Sequence, residues 1–315
     1  CITTDDATCV AGEENKATTS FKVLDPPSDG SSPVAVTKYV NTSTVTETPL
    51  LVILVSFSDY TIRDSANNID MYDNNIYNAY KSADLVDFWK NRIFGESDKS
   101  MLNHYWQSPE VSNGKFKFKF IPASETQGTT DDGIVEVTLS STSHPNCKIP
   151  NKIWYNTNHR TACQQDSDIN SWKNIKNAAV QQAYNDSHIK TTLDGFTDEI
   201  FNAAYSNAGI TKEKLQVILI FPGIAASGWN AATKNGANES VFGSQKLSVW
   251  PSAGARTGEL TKNGASSITY YAQGTFAELN CLSIPYCFPS NIGVIAHELS
   301  HSRFSAPDLY NTADN

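Results

Sequence analysis

Leu50-Leu51-Val52-Ile53-Leu54-Val55-Ser56-Phe57 is an almost unbroken apolar run in which no residue is charged. A strand written this way has no polar face to turn to water. It must be covered on both sides, as in the centre of an α/β protein. Ser58-Asp59 ends it. Leu215-Gln216-Val217-Ile218-Leu219-Ile220-Phe221 repeats the pattern and is closed by Pro222-Gly223. Two buried strands separated by helical stretches predict an α/β sandwich.

Working outward, spaced aromatics and aliphatics predict a helix from about Ser82, with Gly95 as its C-cap. A second helix is expected over 98–107, followed by a Ser112-Asn113-Gly114 turn. Lys115-Phe116-Lys117-Phe118-Lys119-Phe120 alternates with period two, so a half-buried strand is expected, lysines out and phenylalanines in. Gly133 to Leu139 reads as a short strand, 144–165 as a Cys-bounded loop, and 167–184 and 195–208 as helices. The stretch 223–267 is rich in Gly, Ala, Ser and Asn and reads as long surface loops around a small strand at 246–250. Tyr270 and Tyr271 fall in a short strand, and an apolar helix covers 291–304. Residues 1–49 read as an irregular N-terminal arm, and 50–315 as the main domain.

The chain has 315 residues, with 24 basic and 33 acidic side chains, a formal charge of -9. That balance excludes a polybasic nucleic-acid binder. Hydrophobic residues make up 39%, enough for a sizeable core and too many for a disordered chain. Six cysteines fall into near-neighbour pairs, Cys1 with Cys9, Cys147 with Cys163 and Cys281 with Cys287. Three local disulfides are the simplest of the 15 possible pairings and favour an oxidising compartment. Sequons at Asn41, Asn185 and Asn238 point the same way. No apolar run is long enough to span a bilayer. A chain opening on Cys1, with no signal peptide, is expected to be processed, its targeting segment removed.

The sharpest chemical signal is His297-Glu298-Leu299-Ser300-His301. On a helix, histidines four apart face the same side, and each can give a ring nitrogen to one zinc ion. Glu298 adjoins the first ligand and can take a proton from a metal-activated water. A catalytic zinc needs a third protein ligand and an open fourth position. The nearest downstream candidate is Asp308, where Pro307 forces the chain to turn. Asp59, Glu278, Asp314 or a residue beyond Asn315 are the alternatives. No Gly-x-Ser-x-Gly elbow or glycine-rich phosphate loop competes.

HELSHSRFSAPDLY at 297–310 resembles the motif of the immune inhibitor A-type (M6) secreted metalloproteases, His-Glu-x-x-His-x-x-Gly-x-Pro-Asp followed by a tyrosine. LVILVSFSD at 51–59, Phe94-Gly95, Tyr105, Ser112 to Phe116, Val217 to Ile220, Trp250-Pro251 and Ile292 to His297 are similar to further family segments, in family order. The resemblance covers about residues 50–310. It implies a metzincin- or zincin-like α/β catalytic domain, with a central twisted mixed sheet and an HExxH active-site helix. It further implies a secreted zinc-dependent endopeptidase acting on protein or peptide substrates, made with a propeptide and in some members carrying structural calcium. On that resemblance His297, His301 and Asp308 are the zinc ligands and Glu298 is the catalytic base.

Two departures stand out. Phe304-Ser305 occupies the place of the family glycine, and the loop to Pro307-Asp308 is one residue longer. Both methionines, Met71 and Met101, lie upstream, so the Met-turn that follows the ligands in metzincins is not in this sequence. The chain is therefore expected to be one piece of a longer protein, lacking a C-terminal subdomain. The altered turn also keeps a second reading open, an inactive extracellular binding or adhesion module on a protease-like fold. An intact Glu298 argues against it.

Overall fold

A computed structural model describes residues 18–20, 37–39, 45–58, 60–62, 80, 84–98, 101–123, 133–140, 172–196, 215–225, 248–249, 251–262, 268–283, 286–290 and 292–304. Two short strands, β1 (Thr18–Ser20) and β2 (Thr37–Tyr39), pair antiparallel within the stretch expected to be an irregular arm.

The main sheet has eight strands, centred on β3 (Thr46–Phe57). This strand begins four residues before the apolar run that announces it. One edge of β3 pairs in parallel with β4 (Phe116–Phe120) and then β5 (Ile134–Leu139). The other edge pairs in parallel with β6 (Gln216–Ala225). Beyond β6 lie the two-residue β7 (Ser248–Val249) and the long β9 (Ile268–Ser283), both parallel to it. On its outer side β9 carries β8 (Ser252–Thr261) and β10 (Tyr286–Pro289), both antiparallel.

Successive side chains of a strand point to opposite faces, and in β3 both faces are dry. Leu51, Ile53 and Val55 join Val217 and Leu219 of β6 beneath α3 (Trp172–Ala183) and α4 (Ser187–Asp194). Leu50, Val52 and Leu54 join Ile218 and Ile220 beneath α1 (Leu85–Phe94), α2 (Leu102–Gln107) and α5 (Ile292–Phe304). The result is a three-layer sandwich. Each of these aliphatic side chains stabilises the fold by about 1.5–3 kcal/mol relative to exposure.

Local signals act as expected at several ends. Asp84 caps α1 by accepting from the Val86 and Asp87 N–H groups at 2.9 and 3.1 Å. Gly95 ends that helix in an extended conformation, and glycine is needed for space: a Cβ there would lie 2.3 Å from Asn91 O and from Met101 Sδ. Asn113 and Gly114 both take positive φ in the turn before β4. Phe116 and Phe118 are buried as the alternation predicts, but Phe120, at the strand end, is exposed.

Elsewhere tertiary pairing overrides the sequence pattern. Pro222-Gly223 does not stop β6; the strand continues to Ala225 through a register shift against β9. The segment 252–261 reads as loop because it holds Gly and small residues, yet β9 gives its backbone an antiparallel partner on both sides of a register shift between Gly254 and Gly258. The short strand expected around Tyr270-Tyr271 is the start of a strand 16 residues long. Helix α4, with Asp186 as its N-cap, was masked in the sequence by its polar composition. The helix expected over 195–208 falls almost wholly outside the described residues, as does the 144–165 loop.

Gly258 of β8 lies against the fully buried Tyr271 of β9, and a Cβ would meet its ring at 2.0 Å. Burial, with the Glu259 charge nearby, pushes the Tyr271 phenol far above its ordinary range. Gly258→Ala is expected to destabilise the protein by about 1–3 kcal/mol through overpacking. Thermal unfolding followed by circular dichroism checks this; an unchanged midpoint would contradict the β8–β9 packing described.

Candidate metal centre

The chain enters α5 directly from β10. Ser290 N–H donates to the Glu278 carbonyl at 2.8 Å, its hydroxyl donates to the Ala277 carbonyl, and Arg92 Nε donates to the Ser290 carbonyl at 2.9 Å. The helix start is thus tied both to β9 and to α1. Ile295, Ala296 and Leu299 are buried in the core shared with α1 and α2. That inner face leaves His297 exposed and Glu298 and His301 half-buried.

The two histidines come together as their spacing predicts. Nε2 of His297 and Nε2 of His301 are 3.2 Å apart, with ring centroids at 4.7 Å and planes at 89°. Two nitrogens each about 2.0–2.1 Å from one tetrahedral ion would sit about 3.3–3.4 Å apart. The separation of the imidazole pair is close to the bite of a zinc chelate and is also that of a ring-to-ring hydrogen bond. Glu298 Oε2 accepts from the Ala253 N–H of β8 at 3.1 Å, which holds the carboxylate beside that strand.

The C-terminal half of α5 is anchored as well. Ser302 Oγ donates to Gln216 Oε1 at 3.0 Å, and Gln216 Nε2 donates to the Val217 carbonyl at 3.2 Å. Gln216 is buried at the start of β6. It had a signal in the sequence, since it is the one polar residue in the run from Leu215 to Phe221. Ala253 had none, because its part is played by a backbone amide.

Asp308 lies outside the described residues, as do Asp59, Asp314 and Trp250. Glu278 is fully buried and accepts the Tyr80 hydroxyl, which joins Tyr80 to β9. Among the described residues no three His, Cys, Asp or Glu side chains gather as a metal-binding group. His104 is elsewhere, its Nδ1 at 2.8 Å from the Glu96 carbonyl oxygen. Also among the described residues, no helix is long and apolar enough to cross a membrane.

No protein-family model matches the chain, and no curated protein matches it.

His297 is exposed and lies outside the buried core, so replacing it tests metal binding by the histidine pair without disturbing the fold. His297→Ala is expected to remove stoichiometric zinc while leaving the far-ultraviolet circular dichroism unchanged. Metal analysis by plasma mass spectrometry after gel filtration checks it. Full zinc retention would show that the histidine pair is not the chelate.

Proposed function

We propose that the chain is a secreted zinc-dependent endopeptidase of the immune inhibitor A type. The observation that carries the reading is the 3.2 Å separation of the His297 and His301 Nε2 atoms on one helix, with Glu298 beside them. The third ligand in this proposal is Asp308. A zinc ion held there would polarise the scissile carbonyl and lower the pKa of water in its open position.

The residues of the chain then have distinct parts. His297 and His301 hold their nitrogens on one side of α5. Glu298 receives the proton of the attacking water and returns it to the leaving amine. The Ala253 N–H keeps the carboxylate oriented beside β8. On the edge of β8 away from β9, the Ala253 N–H donates to Glu298, the Glu259 N–H to Asn177 Oδ1 and the Thr261 N–H to Gln181 Oε1, so helices α3 and α5 cap this strand.

Secretion is supported by the cysteine pattern and by the exposed position of the Asn185 sequon in the turn between α3 and α4.

The proposal is tested with purified chain loaded with zinc and offered casein or a broad peptide library. Wild type is expected to cleave. Glu298→Gln is expected to keep its zinc and lose activity by about 10²–10⁴-fold, the usual worth of a general base. Zinc-loaded wild type that cleaves nothing would sink the peptidase reading and leave the binding-module one.

A further inference from the structure

Cys281 on β9 and Cys287 on β10 are directly opposed in the antiparallel ladder that precedes α5. Antiparallel pairs alternate between hydrogen-bonded sites and non-hydrogen-bonded sites, and only the latter bring side chains close. The kind of site occupied here follows from its neighbours. Ser290 N–H donates to the Glu278 carbonyl at 2.8 Å, which marks 290 and 278 as a hydrogen-bonded pair. One step along, Pro289 opposes Leu279. Proline has no N–H, as suits a non-hydrogen-bonded site. Alternation makes Phe288 with Asn280 hydrogen-bonded and Cys287 with Cys281 non-hydrogen-bonded. The register shift of this ladder lies beyond the cysteines, between Tyr286 and Cys287, so it does not disturb the count.

At a non-hydrogen-bonded pair the Cα atoms are about 4.5 Å apart and both residues share one face of the sheet. A disulfide requires Cα atoms about 4.4–6.8 Å apart. We infer that Cys281 and Cys287 are joined by a disulfide across the β9–β10 hairpin. The remaining cysteines, Cys1, Cys9, Cys147 and Cys163, are not needed for it. The bond forms by thiol–disulfide exchange with a small-molecule disulfide. One thiolate attacks the donor and releases a thiol. The second thiolate then attacks the protein sulfur of the mixed disulfide and releases the other thiol. The protein loses two protons and two electrons, and the donor disulfide becomes two thiols.

The position gives the bond a task. It closes the hairpin just before Ser290, whose contacts to Glu278, Ala277 and Arg92 set the start of the helix carrying His297 and His301. The bond does not depend on the metal reading, and its test involves no metal.

The full chain is equilibrated with glutathione disulfide, free thiols are alkylated under denaturing conditions without reduction, and the protein is digested with chymotrypsin. Cleavage after Leu282 and Tyr286 separates the two cysteines, so a linked pair is unambiguous by mass spectrometry. The expected result is a fragment containing Cys281 bound to one containing Cys287, with neither alkylated. In Cys281→Ser the expected change is one newly alkylated residue, Cys287. Alkylation of both in the wild type, linkage of either to another cysteine, or a thiol appearing elsewhere in the variant would each overturn the inference.

Discussion

The burial of β3 and β6 on both faces is the constraint from which the rest of the structure follows. Neither strand offers water a surface, so helices must cover the sheet above and below. Leu51, Ile53 and Val55 need α3 and α4, whereas Leu50, Val52 and Leu54 need α1, α2 and α5. The helix bearing His297 and His301 is thus not an appendage. Its inner residues, Ile295 and Leu299, complete a core that would otherwise expose the sheet to water. Fold stability and the placement of the histidine pair share one set of contacts.

That sharing explains how the candidate centre stays partly open while its support is rigid. The apolar side of α5 is committed to the sheet, so the opposite side must face outward. Two further ties set its rotation. Ser302 reaches Gln216 at one end, and Ser290 reaches the backbone of β9 at the other. Glu298 is held separately, by an amide of β8. The histidine pair and the glutamate are therefore positioned by different strands, and their geometry depends on the sheet as a whole.

How much of this was legible differs from element to element for physical reasons. Continuous aliphatic runs have one good solution, which is why β3 and most of β6 could be read directly. The alternation at 116–120 was equally plain until Phe120, which packs against the Phe94 ring at the strand end and still stays exposed. Strand β8 was illegible because nothing in Ser252–Thr261 favours a strand; the open edge of β9 supplies the reason. Helix α4 was hidden for the opposite reason, being polar in composition and buried only through Ile189 and Leu193. In the candidate site, His297, Glu298 and His301 were legible from a spacing that matches the helical repeat.

The sequence by itself determined that two strands would be buried on both faces and that two histidines and a glutamate would share a helix. Those facts depend on local periodicity and on the lack of any polar face. Only the tertiary structure decided that the helix lies beside β8, that Ala253 holds Glu298 and Gln216 holds Ser302, and that Cys281 stands opposite Cys287 in the ladder. Those facts depend on which strand edges are left to pair, and an edge exists only once the sheet is assembled.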